Sequence, residues 1–325
     1  MMLGGLARRV AFIDQLRVTQ KHLVLVDSGR VFQDPRVEDD AEKVGVNARL
    51  ISRAYKRMGV NAVNVGDLEL LQGLPFLKEQ ASQGLNLISA NLVDTAGRKT
   101  IFPPFFIHTV EGFRIAFFGL VTSELEPEIR KAMGKDTMIM DPIKTAKDMV
   151  EQLRDKADVI ILLSCLGLDK ERQLIRKVPG IHFILGGNEG RYFKALLKEE
   201  ETFIAQSYWA GMYTGRLDLT LKSRHFPFQD AGEKFRIKEE ITDLDRRAER
   251  IKAVLNEGEN SVLEFTLSKI NTKRGQLQET LDNLEKSPYI GNLFRWEMVP
   301  LDNTYKEDRE VVDWIRKAGF NKAVK

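Results

Sequence analysis

The 325-residue sequence predicts an α/β fold of layered sheets with flanking helices, followed by a helical hairpin. Two observations carry this prediction. Segments with helical periodicity alternate with short apolar strands as far as about residue 221, which is typical of sheets covered by helices. After residue 222 the alternation stops, and apolar residues recur at heptad spacing.

The first part of the chain supplies the sheets and their connections. Helices are predicted at residues 6–20, 41–58, 68–82 and 142–156, and strands at residues 22–26, 61–65, 85–92, 158–164 and 181–185. Residues 105–110 and 113–120 predict an antiparallel hairpin that turns at Glu111 and Gly112. Since functional loops follow the carboxyl ends of strands in such folds, four loops are expected to converge: residues 27–34, 66–69, 164–169 and 186–191.

The heptad pattern predicts two helices that fold back on each other. The apolar positions are Ile237, Ile241, Leu244, Ala248, Ile251 and Leu255, then Leu263, Leu267, Ile270, Leu277, Leu281 and Leu284. Residues 256–260 interrupt the pattern and contain Gly258, which favours a turn. A strand at residues 294–301 and a helix at residues 306–318 follow. The predicted regions are residues 1–225, the hairpin at residues 230–287, and residues 288–325, which pack back on the first.

Composition excludes several classes of protein. A net charge of +3, with basic and acidic residues interspersed, argues against nucleic-acid binding. No apolar run approaches the roughly 20 residues of a membrane-spanning helix, and the best one, residues 159–168, predicts a buried strand. The single cysteine, Cys165, excludes an internal disulfide and a multi-cysteine zinc site.

Six motifs follow one another, most of them at a predicted strand end. They are GGLARR from Gly4, DSGRVFQD from Asp27, VGDLELLQG from Val65, ISANLVD from Ile88, LLSCLGLD from Leu162 and LGGNEGRYF from Leu185. In this order they resemble the 5'-nucleotidase branch of the calcineurin-like metallophosphoesterases, over roughly residues 4–221. The altered motifs also resemble a 5'-nucleotidase-like subgroup, in part selenoproteins, associated with multihaem cytochromes. The resemblance implies a metallophosphoesterase-like fold.

The resemblance also implies a chemistry that this sequence does not match. The family uses two divalent ions to clamp a phosphoryl group and activate water. Carried over by motif, the bridging aspartate falls on Arg30, the asparagine ligand on Asp67 and the histidine beside it on Leu68. A further histidine ligand falls on Cys165, and the last two fall on Asn188 and Gly190. The histidines present, His22, His108, His182 and His225, occupy no motif position and are interpreted as structural.

The remaining site residues support two sets of candidates. Arg30 and Asn188 are candidates for binding an anion such as phosphate or a nucleotide, since a guanidinium pairs with such groups. Asp67, Glu69, Cys165 and Asn188 are candidates for holding one divalent ion, manganese, zinc or similar. The simpler alternatives are a surface arginine, acids that favour a helix start, and a buried cysteine that packs as a small hydrophobic residue.

These observations predict a phosphoesterase-family protein that is non-catalytic or weakly active and acts in binding or assembly. The alternative is an active metal-dependent phosphoester or nucleotide hydrolase with a remodelled site. The 230–287 hairpin is a candidate surface for a protein partner or self-association. The family's first motif is expected before GGLARR, so we expect a missing N-terminal segment; with a signal peptide in it the protein is periplasmic, otherwise cytoplasmic.

Overall fold

The computed structural model describes residues 4–32, 41–187, 192–207, 211–224, 227–256, 258 and 260–320. The chain divides into two compact units, Met1–Arg216 with Glu297–Lys325, and Leu217–Trp296. The elements up to β12, the strand in which the first unit ends and the second begins, are α1 (Leu6–Thr19), β1 (Val26–Asp27), α2 (Ala41–Met58), β2 (Ala62–Asn64), α3 (Asp67–Leu70), α4 (Leu74–Ser82), β3 (Leu87–Ile88), β4 (Leu92–Asp94), β5 (Phe105–Val110), β6 (Phe113–Val121), α5 (Pro127–Met133), β7 (Thr137–Ile139), α6 (Pro142–Leu153), β8 (Val159–Cys165), α7 (Leu168–Lys177), β9 (Phe183–Gly186), β10 (Leu197–Glu199), β11 (Thr202–Gln206) and β12 (Tyr213–Thr220).

The elements that follow are β13 (Phe228–Asp230), α8 (Glu233–Leu255), α9 (Ser261–Lys286), β14 (Asn292–Pro300) and α10 (Arg309–Lys317). The strands form separate sheets. One contains β1, β2 and β3, all parallel; a larger one has the order β10-β11-β9-β8-β6-β5. In the larger sheet β6, β8, β9 and β11 are parallel, and β5 and β10 are antiparallel edge strands. Strands β4 and β7 form an antiparallel pair, and the third sheet has the order β12-β14-β13.

The core explains why these elements form. Every residue of β8 is buried, as the continuous apolar run predicts for a central parallel strand. Alternate residues of β6 pack with β8 against α6 and α7 in one apolar cluster. A second cluster contains α1, α2 and the Trp314 and Ile315 side chains of α10.

Three predicted elements differ from the observed ones. The helix predicted at residues 68–82 is two helices, α3 and α4, because the chain turns at Gly73 with a φ of 79°. The strand predicted at residues 85–92 is the two short strands β3 and β4. Between them the amides of Ser89 and Ala90 donate to the carbonyls of Pro103 and Gly119, so the ladder is interrupted. The strand predicted at residues 22–26 is shortened to β1.

The predicted helical hairpin is confirmed within the second unit. Helices α8 and α9 fold back on each other, and Ile237, Ile241 and Leu281 form its buried centre, with Leu277 and Leu284 packed against them. Ion pairs such as Lys238–Glu285 cross between the helices. None of the described helices is long and apolar enough to cross a membrane.

Candidate functional site

The loop after β1 follows a constrained path. The carboxylate of Asp27 accepts a hydrogen bond from the backbone amide of Gly29 at 2.9 Å, as in an Asx-turn. Gly29 and Arg30 both have left-handed backbones, with φ of 99° and 66°. A Cβ at Gly29 would lie 2.8 Å from the carbonyl oxygen of Asn64, so only glycine fits there. This path directs the next amides towards the loop that follows β2.

Glu69 holds the two loops together. Its side chain is fully buried, and Oε2 accepts hydrogen bonds from the amides of Gly66 at 2.9 Å and Arg30 at 2.7 Å. Oε1 accepts from the amides of Val31 at 2.7 Å and Phe32 at 3.4 Å. Burial raises the pKa of Glu69 to about 7, against the lowering effect of the Arg30 and Val31 amides. Both carboxylate oxygens are therefore engaged in shaping the loops.

An ion pair occupies the position between the two loops. The Nε atom of Arg30 lies 3.2 Å from Oδ1 of Asp67, and the two side chains are only 20% and 15% exposed. Leu68, on which the motif resemblance places a histidine, is buried and 6% exposed. The structure therefore brings the predicted residues Arg30, Asp67 and Glu69 together, but it places a cation of the protein itself beside Asp67.

Cys165 lies at the end of β8, against the same loops. Its thiol is fully buried and donates a hydrogen bond to the carbonyl oxygen of Ser28 at 2.8 Å. Burial, followed by the negative charges of Glu69 and Asp67, raises the pKa of the Cys165 thiol well above its usual value. A Cβ at Gly66 would lie 2.5 Å from the sulfur, so the thiol fills this space closely. Burial and the neighbouring carboxylates therefore favour the thiol over the thiolate in this arrangement.

Two further residues, Tyr55 and Arg9, support the loop after β1 and were not among the predicted site residues. The hydroxyl of Tyr55 donates to Oδ2 of Asp27 at 2.7 Å, and Arg9 donates to the Tyr55 hydroxyl at 2.9 Å. Burial, followed by the charge of Asp27, raises the pKa of Tyr55 well above its usual value. The final arginine of GGLARR thus reaches the DSGR loop through a tyrosine of α2. The place of Arg9 in that motif was its signal in the sequence, whereas Tyr55 belongs to no motif.

The predicted convergence of strand ends is observed among the described residues. The hydroxyl of Ser28 donates to the carbonyl oxygen of Leu185 in β9 at 2.7 Å. The amide of Gly187 donates to the carbonyl oxygen of Ser164 at 3.0 Å. The side-chain amide of Asn64 donates to Ser28 and to Leu120 of β6, at 3.0 Å each. Strands from two sheets therefore meet at this edge.

Other predicted residues lie elsewhere. Asn188, Gly190 and His225 lie outside the described residues. His22 is exposed and lies 3.1 Å from Glu111. His182 accepts a hydrogen bond from the amide of Ile160 at 3.0 Å, and burial lowers its pKa. His108 lies in β5, on an edge strand of the large sheet.

Sequence comparison finds related proteins over about two thirds of this chain. No family model matches the chain. The trifunctional nucleotide phosphoesterase protein YfkN of Bacillus subtilis is 25% identical over 261 residues, which cover 68% of this chain and 17% of YfkN. The 5'-nucleotidase of Vibrio cholerae is 26% identical over 254 residues, covering 67% of this chain and 45% of that protein. The chain is a homologue of the 5'-nucleotidase-like phosphoesterases. It spans less than half the length of these two relatives.

Solved structures extend the fold comparison for this homologue. The calcineurin-like phosphoesterase YfkN from Bacillus subtilis superposes with a TM-score of 0.63 at 17% identity, covering 98% of this chain and 89% of that chain. The Thermus thermophilus sulfate thiohydrolase SoxB superposes with a TM-score of 0.68 at 16% identity, covering 97% of this chain and 46% of that chain. Both likenesses establish the fold.

The described side chains of this homologue do not fit a dinuclear metal centre. Asp67 is paired with Arg30, the oxygens of Glu69 accept hydrogen bonds from backbone amides, and the Cys165 thiol donates to the carbonyl oxygen of Ser28. Within the described part of the chain, no group of three or more histidine, cysteine, aspartate or glutamate side chains is placed to hold a metal ion. The single divalent ion expected at Asp67, Glu69, Cys165 and Asn188 stays a prediction.

Proposed function

We propose that this phosphoesterase homologue has lost, or nearly lost, metal-dependent hydrolysis and serves in binding or assembly. The observation that carries the proposal is the Arg30–Asp67 ion pair. Arg30 stands where the motif of the family has its metal-bridging aspartate. The positive charge that the family obtains from bound ions is supplied here by a side chain of the protein.

Electrostatics supports this proposal. A guanidinium stays protonated at any physiological pH and repels a divalent cation, more strongly in a partly buried site than in water. To bind an ion, Asp67 would have to exchange its arginine partner for the metal while Arg30 stayed nearby. A carboxylate that is already neutralised in this way is a poor ligand.

Proton transfer and ligation are weakened in the same way. Leu68 cannot steady a leaving group as the histidine of the family does, because its side chain neither donates nor accepts a proton. Cys165 stands where the family has a histidine ligand, but its thiol is buried and donates a hydrogen bond to the carbonyl oxygen of Ser28. Each change alone would slow the reaction, and together they remove both the metal and the acid.

Hydrolysis assays test this proposal. The purified chain is incubated with AMP or 4-nitrophenyl phosphate in the presence of manganese, beside Asp67→Ala and the control Asp148→Ala, an exposed acid on α6. We expect all three proteins to release phosphate at the background rate. Manganese-dependent release that Asp67→Ala abolishes and Asp148→Ala retains would show an active remodelled site.

A manganese titration followed by electron paramagnetic resonance gives an independent measurement. The signal of free manganese should rise with each addition as it does in buffer, because Asp67 at the candidate site is already paired with Arg30. Loss of the free signal at micromolar manganese, reversed in Asp67→Ala, would contradict the proposal.

Assembly through the hairpin is the second part of the proposal. Three large apolar side chains near the turn between α8 and α9 are exposed: Val254 by 52%, Val262 by 71% and Phe265 by 61%. Large apolar side chains that are exposed to water favour contact with another protein surface. We expect the full chain to form a dimer in light scattering, and the double variant Val262→Ser/Phe265→Ser to be a monomer. A monomeric full chain contradicts self-association.

A further inference from the structure

A cleft of about 570 Å³ lies between the loop after β6, helix α5 and strand β7. Small-molecule sites typically measure about 300–1,000 Å³. The residues that line the cleft share none with the six sequence motifs. Helix α5 contacts α3, the helix that carries Asp67 and Glu69. The cleft therefore adjoins the candidate site through α3 but has its own lining.

The charged part of this lining is entirely basic. Arg130, Lys131 and Lys135 border the cleft, and its described lining contains no aspartate or glutamate. Within the described part of the chain, none of the three cations forms an ion pair. Gly134, with a φ of 86°, ends α5 and turns the chain, so that Lys131 and Lys135 border the same space. A concave surface with one sign of charge attracts a ligand of the opposite sign.

The floor of the cleft is apolar and firmly held. Met133 is 6% exposed and belongs to the core of the first unit. Leu125 and Ile139 pack against the same core, and Met138 lies between Ile139 and the buried Thr137 on β7. The pairing of β7 with β4 fixes this strand. An apolar floor under a basic rim suits a ligand that has a hydrophobic body and a compact anionic group.

We propose that this cleft binds a small organic phosphate, with its hydrophobic body against Met133 and Met138 and its dianion held by Arg130, Lys131 and Lys135. A guanidinium fork and two ammonium groups match the oxygens of a phosphate monoester. The binding does not depend on whether the neighbouring Asp67 site hydrolyses anything.

Calorimetric titration of the full chain tests this assignment. The probe is (1-naphthylmethyl)phosphonic acid, whose P–C bond resists hydrolysis. Methylphosphonic acid carries the same anion without the ring, and 1-naphthylmethanol carries the ring without the anion. We expect the probe to bind at least roughly tenfold more tightly than either fragment, because it uses both parts of the cleft. Equal affinity for the probe and one of the fragments would overturn the proposal.

Matched variants locate the binding. Arg130→Gln and Lys135→Gln should each weaken binding of the probe by about threefold or more, and raised salt should reduce the difference. Lys147→Gln removes the same charge from an exposed position on α6 and should leave the affinity unchanged. Met138→Gln should weaken binding of the probe but leave binding of methylphosphonate unchanged.

Two results would contradict the location. One is the same loss of affinity in Lys147→Gln as in Lys135→Gln, which would show a general effect of charge. The other is loss of binding in Arg30→Gln with Arg130→Gln and Lys135→Gln unaffected, which would place the ligand at the Arg30 site. Circular dichroism of each variant confirms that the fold is retained.

Discussion

Two regions of the molecule use charged residues differently. Around Glu69 a fully buried carboxylate accepts backbone amides from two loops, and Arg30 and Asp67 pair beside it. In the α8–α9 hairpin, charged side chains pair across the helices while about half exposed to water. Charged residues therefore fix the path of the backbone in one region and cover a solvated surface in the other. The degree of burial decides how much each charged group contributes to stability.

The largest expected effect comes from removing the buried carboxylate. Glu69→Ala leaves the amides of Arg30, Val31 and Gly66 buried without their acceptor, and we expect it to lower the free energy of unfolding by about 3–5 kcal/mol. Urea denaturation measures this loss. The control is Glu79→Ala, which breaks the exposed pair with Arg49 and should cost less than about 1 kcal/mol. Equal losses in the two variants would mean that the loops do not depend on Glu69.

The pH dependence of stability tests the same carboxylate in a second way. The pKa of Glu69 in the folded protein is about 7, above the ordinary value of 4.5, so the folded state binds this proton more tightly than the unfolded state does. The stabilisation that comes from this tighter proton binding is fully present below pH 4.5. It is lost as the pH rises through 7, which lowers the free energy of unfolding by up to about 3 kcal/mol.

The measurement is the difference in unfolding free energy between the native chain and Glu69→Gln, in which this titration is absent. We expect the difference to change in favour of Glu69→Gln between pH 5 and pH 8. A difference that stays constant over that range would show that Glu69 is ionised throughout.

Replacing glycine by alanine should have opposite effects on stability in the two regions. Gly275 lies inside α9, and a Cβ there meets no atom within 4 Å, so Gly275→Ala should stabilise the helix by about 1 kcal/mol. Slower amide hydrogen exchange in α9 measures it. Gly29→Ala should instead destabilise the protein, because the left-handed backbone and the Asn64 carbonyl exclude a Cβ. Stabilisation at both positions would contradict the described loop.

The smallest effect is expected on the surface of the hairpin. Lys273 pairs with Glu240 across α8 and α9, with side chains 57% and 44% exposed. Lys273→Gln should change the unfolding free energy by no more than about 0.5 kcal/mol, and 1 M salt should abolish the difference. A larger, salt-insensitive loss would show that the pair is not solvated as described.

Much of the fold could be predicted because the patterns are local. Heptad spacing predicts the hairpin, because it places the apolar residues of each helix on one face, whatever else surrounds them. Ile237 and Ile241 of α8 and Leu281 of α9 meet through these faces. The apolar run of β8 predicts a central strand in the same way. The prediction of one helix at residues 68–82 missed the break between α3 and α4, although Gly73 and Pro75 at the start of α4 both favour a helix boundary.

By itself the sequence determined which residues could meet: it ordered the six motifs, placed Arg30, Asp67 and Cys165 at strand ends, and separated the hairpin from the sheets. Only the tertiary structure decided what they do there. It paired Arg30 with Asp67, engaged both oxygens of Glu69 with amides from two loops, and buried the Cys165 thiol against the carbonyl oxygen of Ser28. The reason is physical. Spacing fixes which side chains share an edge, whereas ion pairing, amide donation and pKa depend on distances and burial that arise when distant segments pack.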